Sequence, residues 1–397
     1  RETLARFARH AAQAQSLLDQ LAQTDFDMAC VSQASGNECL QRSRLQALDT
    51  PRLANLLRYW AARRGLAMPP EARLGDLFWP FHRSPERKAL APRRRPAGSS
   101  GLVEVTGFGS NPGCLLMFEH IPVGLPAGRP LVLVLHGCQQ DAESYDRAAG
   151  WATLAEERGF AVVYAQQREA NNPRRCFTWF RPSEVTRDRG ELMSIRQMVA
   201  HTAERAASDQ QRIFITGLSA GGAMSAAMLA NYPELFAGGA IIAGLPFGAA
   251  RDATRAFEAM GEAPERSPRE WSDLVRAVSP RITRKPAISI WHGTADETVA
   301  LSNGLALVEQ WRDLYRLPKE AFVEKRMKGR RTRIWPDKEG KPLVTFHEID
   351  GMRHGTPVER GEGGGYAAAI EPFMLEAGFS STLEIAKAWG LTRKWKR

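Results

Sequence analysis

The run RIFITGLSAGGAM, residues 212–224, decides the fold. Arg212 to Thr216 is a short apolar run that reads as a strand. Gly217-Leu218-Ser219-Ala220-Gly221 follows, and a helix rich in Ala and Met begins at once. Strand, sharp turn and helix around G-x-S-x-G is the context of a nucleophile elbow. Such a turn holds its serine in a strained backbone conformation. Gly217 and Gly221 leave room where side chains would collide with the neighbouring strand and helix, so the Ser219 oxygen projects from the top of the sheet. The N–H of Ala220 faces the same space at a helix N-terminus, where negative charge is favoured.

The same alternation continues on either side. LVLVLH (131–136), FAVVYA (160–165), GAIIA (239–243) and AISIW (287–291) are continuous apolar runs that suit strands buried on both faces of a parallel sheet. Between them lie helical stretches, including DRAAGWATLAEERG, LMSIRQMVAHTAERAA and SNGLALVEQWRDLY. Strands alternating with helices predict a doubly wound α/β domain over 101–397. Two inserts interrupt it. Residues 247–285 are polar, with Pro264, Pro268 and Trp271, and are read as a cap over the sheet. Residues 320–349 read as an edge hairpin turning at Asp337-Lys338-Glu339-Gly340.

Upstream the composition changes. Residues 1–82 are rich in Ala, Leu, Gln and Arg, with apolar residues at helical spacing in LARFARHAAQAQSLLDQLAQ and PRLANLLRYWAARRGL. They predict a small helical segment. Residues 83–100, RSPERKALAPRRRPAGSS, read as a basic Pro/Arg linker. The whole chain of 397 residues is 43% hydrophobic and 25% charged, which excludes a collagen, a disulfide miniprotein and a wholly disordered chain. No uninterrupted apolar run approaches the ~18 residues of a membrane span. The net charge of +10 gathers at 83–95, 325–333 and 393–397. Basic patches dispersed in this way are expected to be solvated surface rather than a nucleic-acid groove. The five cysteines (Cys30, Cys39, Cys114, Cys138 and Cys176) allow at most two disulfides. The sequence opens on Arg1 without a basic stretch followed by an apolar one, so a signal peptide is expected to be absent or already removed.

A serine nucleophile needs a base, and the base needs an orienting carboxylate, in this fold in the chain order Ser, Asp or Glu, His. Three histidines follow Ser219. His354 sits in a Gly-flanked loop after the strand LVTFHEI and is the expected general base. His347 lies inside that strand and reads as structural, and His292 reads as shaping a strand-end loop. Asp296 in HGTADET is the expected orienting carboxylate, with Glu297 and Asp350 as competitors. Two N–H donors are needed for a developing oxyanion. One is Ala220. The other belongs to the loop after LVLVLH, either Cys138 or Gln139, with His136 bracing that loop. The expected reaction is ester hydrolysis through a covalent acyl-serine, with no cofactor and no metal.

LHGCQQ, QQREANNPRRCFTWF, RGELMSIRQMV, GLSAGGAMSAAMLANYPELFAGGAIIAGLPFG, WHGTADETV, GMRHGTPV and EPFMLEAGFSSTLEIAKAWGL together resemble the polyhydroxybutyrate depolymerase family of serine esterases, over roughly 101–390. The resemblance implies an α/β-hydrolase fold and a triad of Ser219, Asp296 and His354. It also implies Cys138 as oxyanion donor, a disulfide between Cys138 and Cys176, and Trp179 as a lining of the substrate cleft. It implies an extracellular enzyme acting on an ester or polyester, with feruloyl or acetylxylan esterase chemistry as the alternative. In a cytoplasmic protein the two cysteines would instead be free thiols. Within residues 1–82, FARHAAQAQSLLDQLAQTDFD and TPRLANLLRYWAARRGLAMPPEARL resemble the substrate-binding segment of tRNA(Ile)-lysidine synthetases. The nucleotide loop of those enzymes is missing, so no ATP chemistry is implied. A tRNA-binding protein led by residues 1–100 is the competing reading.

Overall fold

The computed structural model describes residues 19–28, 30–32 and 38–40, single positions between 44 and 63, and then 101–359, 371–393 and 395. The chain divides into two compact units, residues 1–94 and 95–397. In the first, residues 19–28 are helical. Strands β1 (Cys30–Ser32) and β2 (Glu38–Leu40) pair antiparallel, which the helical reading did not anticipate. Arg52 reaches buried Asp25 with two hydrogen bonds. The linker expected over 83–100 lies outside the described residues.

The second unit is built on ten strands: β3 (Val103–Val105), β4 (Leu116–His120), β5 (Leu131–Leu135), β6 (Ala161–Gln166), β7 (Ile213–Leu218), β8 (Gly238–Ile242), β9 (Ala287–Gly293), β10 (Val323–Met327), β11 (Arg330–Pro336) and β12 (Pro342–Ile349). Their order is β10-β11-β12-β9-β8-β7-β5-β6-β4-β3. Neighbours from β6 to β12 run parallel, and the two outer strands at each edge run antiparallel. This is an α/β-hydrolase sheet. The apolar runs follow from its two covered faces. Along β5, Leu131, Leu133 and Leu135 enter one hydrophobic core, and Val132 and Val134 enter the other. The first core is closed by helices α3 (Gly190–Arg205), α4 (Ala220–Asn231), α6 (Pro268–Val278) and α7 (Leu301–Tyr315). The second is closed by α1 (Ala142–Ala149), α2 (Trp151–Arg158) and α8 (Ser381–Ala388). Among the described residues no helix is long and apolar enough to cross a membrane.

Three details differ from the reading of the sequence. DRAAGWATLAEERG is two helices, because Gly150 at φ 75° ends α1 and opens α2, while the Asp146 carboxylate accepts the Ala152 N–H. Residues 320–349 hold three strands instead of two. A tight turn at Lys328-Gly329, with Gly329 at φ 72°, adds β10, and β12 is not an edge strand but lies beside β9. The insert at 247–285 forms α5 (Ala253–Gly261) and α6, whose Ala256, Ala259, Trp271 and Val275 join the first core as part of its helix layer.

Candidate active site

The elbow is fixed by backbone collisions. Ser219 holds φ 57° and ψ −118°, a sparsely populated region for a residue with a side chain, at a cost of about 1–3 kcal/mol. A Cβ on Gly217 would lie 2.3 Å from the Gly221 carbonyl oxygen, and one on Gly221 would lie 2.4 Å from that of Leu135. The Ser219 N–H donates to Ile242 O (2.9 Å), and its carbonyl accepts from Ala223 N–H (2.8 Å). Both backbone groups are thus used to hold the turn. The hydroxyl makes no hydrogen bond among the described residues, although the residue is only 8% exposed.

The histidine and carboxylate arrive on the next strands, at the same ends of those strands. Ser219 N–H bonds the last residue of β8, and Ala243 N–H just past β8 bonds Trp291 O in β9. Gly293 of β9 pairs with Ile349 of β12. The loops after β9 and β12 are then tied together by Ala295 N–H to Met352 O (3.0 Å) and Gly351 N–H to Thr294 Oγ1 (2.8 Å). Gly293 permits this, since a Cβ there would sit 2.1 Å from Met352 O. The result is a 2.7 Å hydrogen bond between His354 Nδ1 and Asp296 Oδ2. The other oxygen of Asp296 accepts the N–H groups of Thr298 (2.9 Å) and Val299 (2.8 Å). Burial opposes the charge on Asp296. The hydrogen bond and positive field of His354, with the Val299 N–H, outweigh it and hold the carboxyl below its ordinary value. An ionised Asp296 fixes the proton of His354 on Nδ1 and leaves Nε2 as the basic nitrogen.

The competing residues take other work. Glu297 and Asp350 are exposed and do not bond His354. His292 is buried and neutral, its Nε2–H donating to Val299 O (2.8 Å), so it shapes the loop that carries Asp296. His347 is stacked on Trp291 at 3.6 Å and is pushed down to about 3 by burial and the Arg330 charge.

On the other side of Ser219, the loop after β5 distinguishes the main-chain N–H groups of Cys138 and Gln139. The Gln139 N–H is spent on Arg174 O (2.6 Å). The N–H groups of Cys138 and Ala220 have no partner among the described residues. Cys138 is joined to Cys176 by a disulfide. Buried His136 braces the loop: Nδ1–H donates to Gly137 O (2.7 Å), and Nε2 accepts the Gln167 N–H (3.1 Å). Burial pushes it down to about 4, so it is a neutral strut. Gln140 accepts the Gly137 N–H (2.9 Å) and donates to Pro372 O (2.8 Å). Phe373, next in the chain, meets the His354 ring edge-on at 6.0 Å. Trp179 is 8% exposed and packs edge-on against Phe180 within the first core, so it offers a cleft little of its surface.

Sequence reading missed one side chain behind this loop. Glu191, at the start of α3, is buried and accepts the Thr178 O–H (2.6 Å), the Thr178 N–H (2.9 Å) and a Gln167 side-chain N–H (2.7 Å). Burial pushes it up to about 7. It ties the segment that carries Cys176 to the residue that orients His136. The available signal was an acidic residue at a helix start inside RGELM, which is also an ordinary favourable use of the helix dipole.

Residues 119–333 match the model of the family described as Esterase PHB depolymerase. The chain is 41% identical over 291 residues to Poly(3-hydroxyalkanoate) depolymerase C of Paucimonas lemoignei, covering 73% of this chain and 70% of that protein. It is 30% identical to Probable acetylxylan esterase A of Neosartorya fischeri (61% of this chain, 68% of the relative). It is 28% identical to Feruloyl esterase B of Talaromyces stipitatus (54% and 61%). Among solved structures, an acetyl xylan esterase from Aspergillus awamori superposes with a TM-score of 0.62 at 24% identity. It covers 73% of this chain and 99% of its own, and supports the fold. Residues 40–78 match the TilS substrate binding domain model.

Proposed function

The chain belongs to the PHB depolymerase family of esterases and is a serine esterase of that type; from that premise we propose that Ser219, His354 and Asp296 are its catalytic triad and that it cleaves a polyester of hydroxy acids. The observation that carries the assignment is the 2.7 Å bond from His354 to an ionised Asp296, at the same ends of the strands as the strained Ser219 turn, whose hydroxyl has no hydrogen-bond partner among the described residues. In acylation Ser219 Oγ bonds to the ester carbonyl carbon as its proton passes to Nε2 of His354. The carbonyl oxygen becomes an oxyanion facing the N–H groups of Cys138 and Ala220, each worth roughly 3 kcal/mol in such a site. Asp296 stabilises the imidazolium. The tetrahedral species collapses, the bond to the leaving oxygen breaks, and His354 gives its proton to the departing alcohol. Water then repeats the sequence on the acyl-serine and releases the acid.

The identity and the share of this chain matched are higher for the poly(3-hydroxyalkanoate) depolymerase than for the feruloyl and acetylxylan esterases, which favours an aliphatic polyester as substrate. A disulfide on the oxyanion loop supports work in an oxidising, extracellular setting. The test is hydrolysis by the wild-type chain and Ser219→Ala of suspended poly(3-hydroxybutyrate), methyl ferulate and acetylated xylan. Clearing of the polymer that vanishes in the variant is expected. Activity retained by the variant would overturn the triad, and release of ferulate or acetate without clearing would overturn the polyester. The TilS match favours a second reading for residues 1–94 alone. Salt-sensitive tRNA binding by the Ser219→Ala chain is the measurement that decides it.

A further inference from the structure

At the ends of the central strands opposite the elbow, where β5, β6 and β7 begin, lies a cavity of about 390 Å³. Four arginines line it, Arg129, Arg158, Arg212 and Arg393. Three come from the strand starts themselves. Arg129 sits two residues before β5, Arg158 ends α2 ahead of β6, and Arg212 immediately precedes β7. The strand starts are bonded to one another through Leu131 N–H to Arg212 O (3.1 Å) and Ala161 N–H to Pro130 O (2.9 Å), so the framework is rigid.

Two of these arginines are held by main-chain carbonyls. Arg129 donates to Gly159 O (2.5 Å) and Arg158 O (2.6 Å), and Arg212 donates to Gly390 O (3.4 Å). Several other arginines of this unit pair with acids, as Arg147 with Glu371, Arg276 with Asp313 and Arg330 with Glu384, while Arg266 and Arg284, neither of which lines the cavity, bond main-chain carbonyls singly. In the cavity, among the described residues, Arg129, Arg212 and Arg393 pair with none, and Arg158 has only its sequence neighbour Glu157, at 3.8 Å. Its Nε is buried without any partner. Burial and the adjacent Arg212 charge both depress the protonation of Arg129.

We propose that this cavity binds a small molecule bearing a phosphate or diphosphate group. A guanidinium fork matches phosphate oxygens in a bidentate way, and a doubly charged oxyanion relieves repulsion among several guanidiniums where one carboxylate would not. The volume falls in the range of small-ligand sites, roughly 300–1,000 Å³. The ligand would clamp the C-terminal segment, through Gly390 and Arg393, to the starts of the central strands, at the end opposite ester hydrolysis.

The experiment is calorimetric titration of the full chain at low ionic strength with pyrophosphate, with AMP and 3-hydroxybutyrate in parallel. One saturable site with Kd below ~1 mM is expected for pyrophosphate, weakened at least ~10-fold in Arg212→Gln and in Arg393→Gln. Arg255→Gln, at an exposed arginine paired with Glu258 elsewhere, should leave binding unchanged. Hydrolysis of p-nitrophenyl butyrate should be equal in all the variants, which shows that each is folded. AMP binding beside pyrophosphate identifies a phosphate ester as the ligand, whereas pyrophosphate alone identifies the inorganic anion. Absence of a saturable site, equal weakening by Arg255→Gln, or 3-hydroxybutyrate binding as tightly as pyrophosphate would overturn the proposal.

Discussion

The two halves of the candidate site are made rigid in different ways. The elbow half, Gly217 to Gly221, is shaped within five residues. Its conformation is forced by main-chain atoms that leave no space for a Cβ. The oxyanion half, Gly137 to Gln140, has no such local compulsion. It is held by Gln140 reaching Pro372, by His136 reaching Gln167, by Glu191 behind Gln167 and Thr178, and by the Cys138–Cys176 disulfide. A turn enforced by sterics tolerates no substitution at its glycines. A loop held by several hydrogen bonds should lose function by degrees.

The largest effect is expected at Asp296, behind the proposed proton path from Ser219 to His354 that serves the elbow half. Asp296→Asn keeps the shape of the side chain but removes the charge that fixes the His354 tautomer. A loss of ~10³–10⁴-fold in kcat is expected, with KM little changed. Pre-steady-state measurement of acyl-enzyme formation checks it, and a loss under tenfold would break the assignment of Asp296. Next comes the steric half. Gly221→Ala places a methyl carbon 2.4 Å from Leu135 O, where β5 and the elbow touch, and neither backbone can retreat. Destabilisation of about 2–4 kcal/mol is expected, read as a lowered midpoint of urea unfolding. An unshifted midpoint would show that the elbow is softer than its contacts imply.

Glu191→Gln probes the other half. The amide keeps one acceptor oxygen and turns an N–H₂ toward a donor, so one of the three hydrogen bonds is lost. We expect a ~10-fold fall in kcat with KM nearly constant, because the loop would still bind substrate but aim the Cys138 N–H less well. Weakened affinity for a trifluoromethyl ketone, which forms the tetrahedral oxyanion on Ser219, should accompany it. A fall in thermal stability with kcat and ketone affinity intact would reduce Glu191 to a packing role.

The same contrast explains how much was legible in the sequence. Gly217, Ser219 and Gly221 lie within five residues, so spacing alone exposes the elbow, and the buried strands announce themselves because both faces of β5 and β7 are covered. The choice of His354 over His347 followed from loop against strand position, and the Trp291 stack shows why a strand histidine is unavailable for proton transfer. Glu191 was not legible because its partners, Gln167 and Thr178, stand 24 and 13 residues away and no periodicity links them. The β10–β11 turn escaped for another reason. EKRMKGRRTR is charged at so many positions that no apolar alternation marks a second turn inside the expected hairpin, and Gly329 at φ 72° closes it.

The last expected effect concerns acid stability, where Glu191 behind the loop of Gly137 to Gln140 opposes two histidines, buried His136 in that region and His347 in β12. His136 and His347 titrate at about 4 and 3 in the folded chain, below the ordinary value of 6.5. The unfolded chain therefore binds more protons below pH 6.5, and the stability these residues contribute falls as pH drops through that window. Glu191 titrates at about 7 when folded against 4.5 unfolded, so its sign is reversed: the folded chain takes up the proton first, and this group adds stability as pH falls from 7 toward 4.5. Glu191→Gln deletes that compensation and leaves the histidines. The variant should lose about 2 kcal/mol more than the wild-type chain between pH 7 and pH 5, measured by urea unfolding at each pH. Parallel curves for the two proteins would mean that Glu191 stays ionised across this range. The three donors around it would then outweigh its burial, and the oxyanion loop would rest on a permanent buried charge.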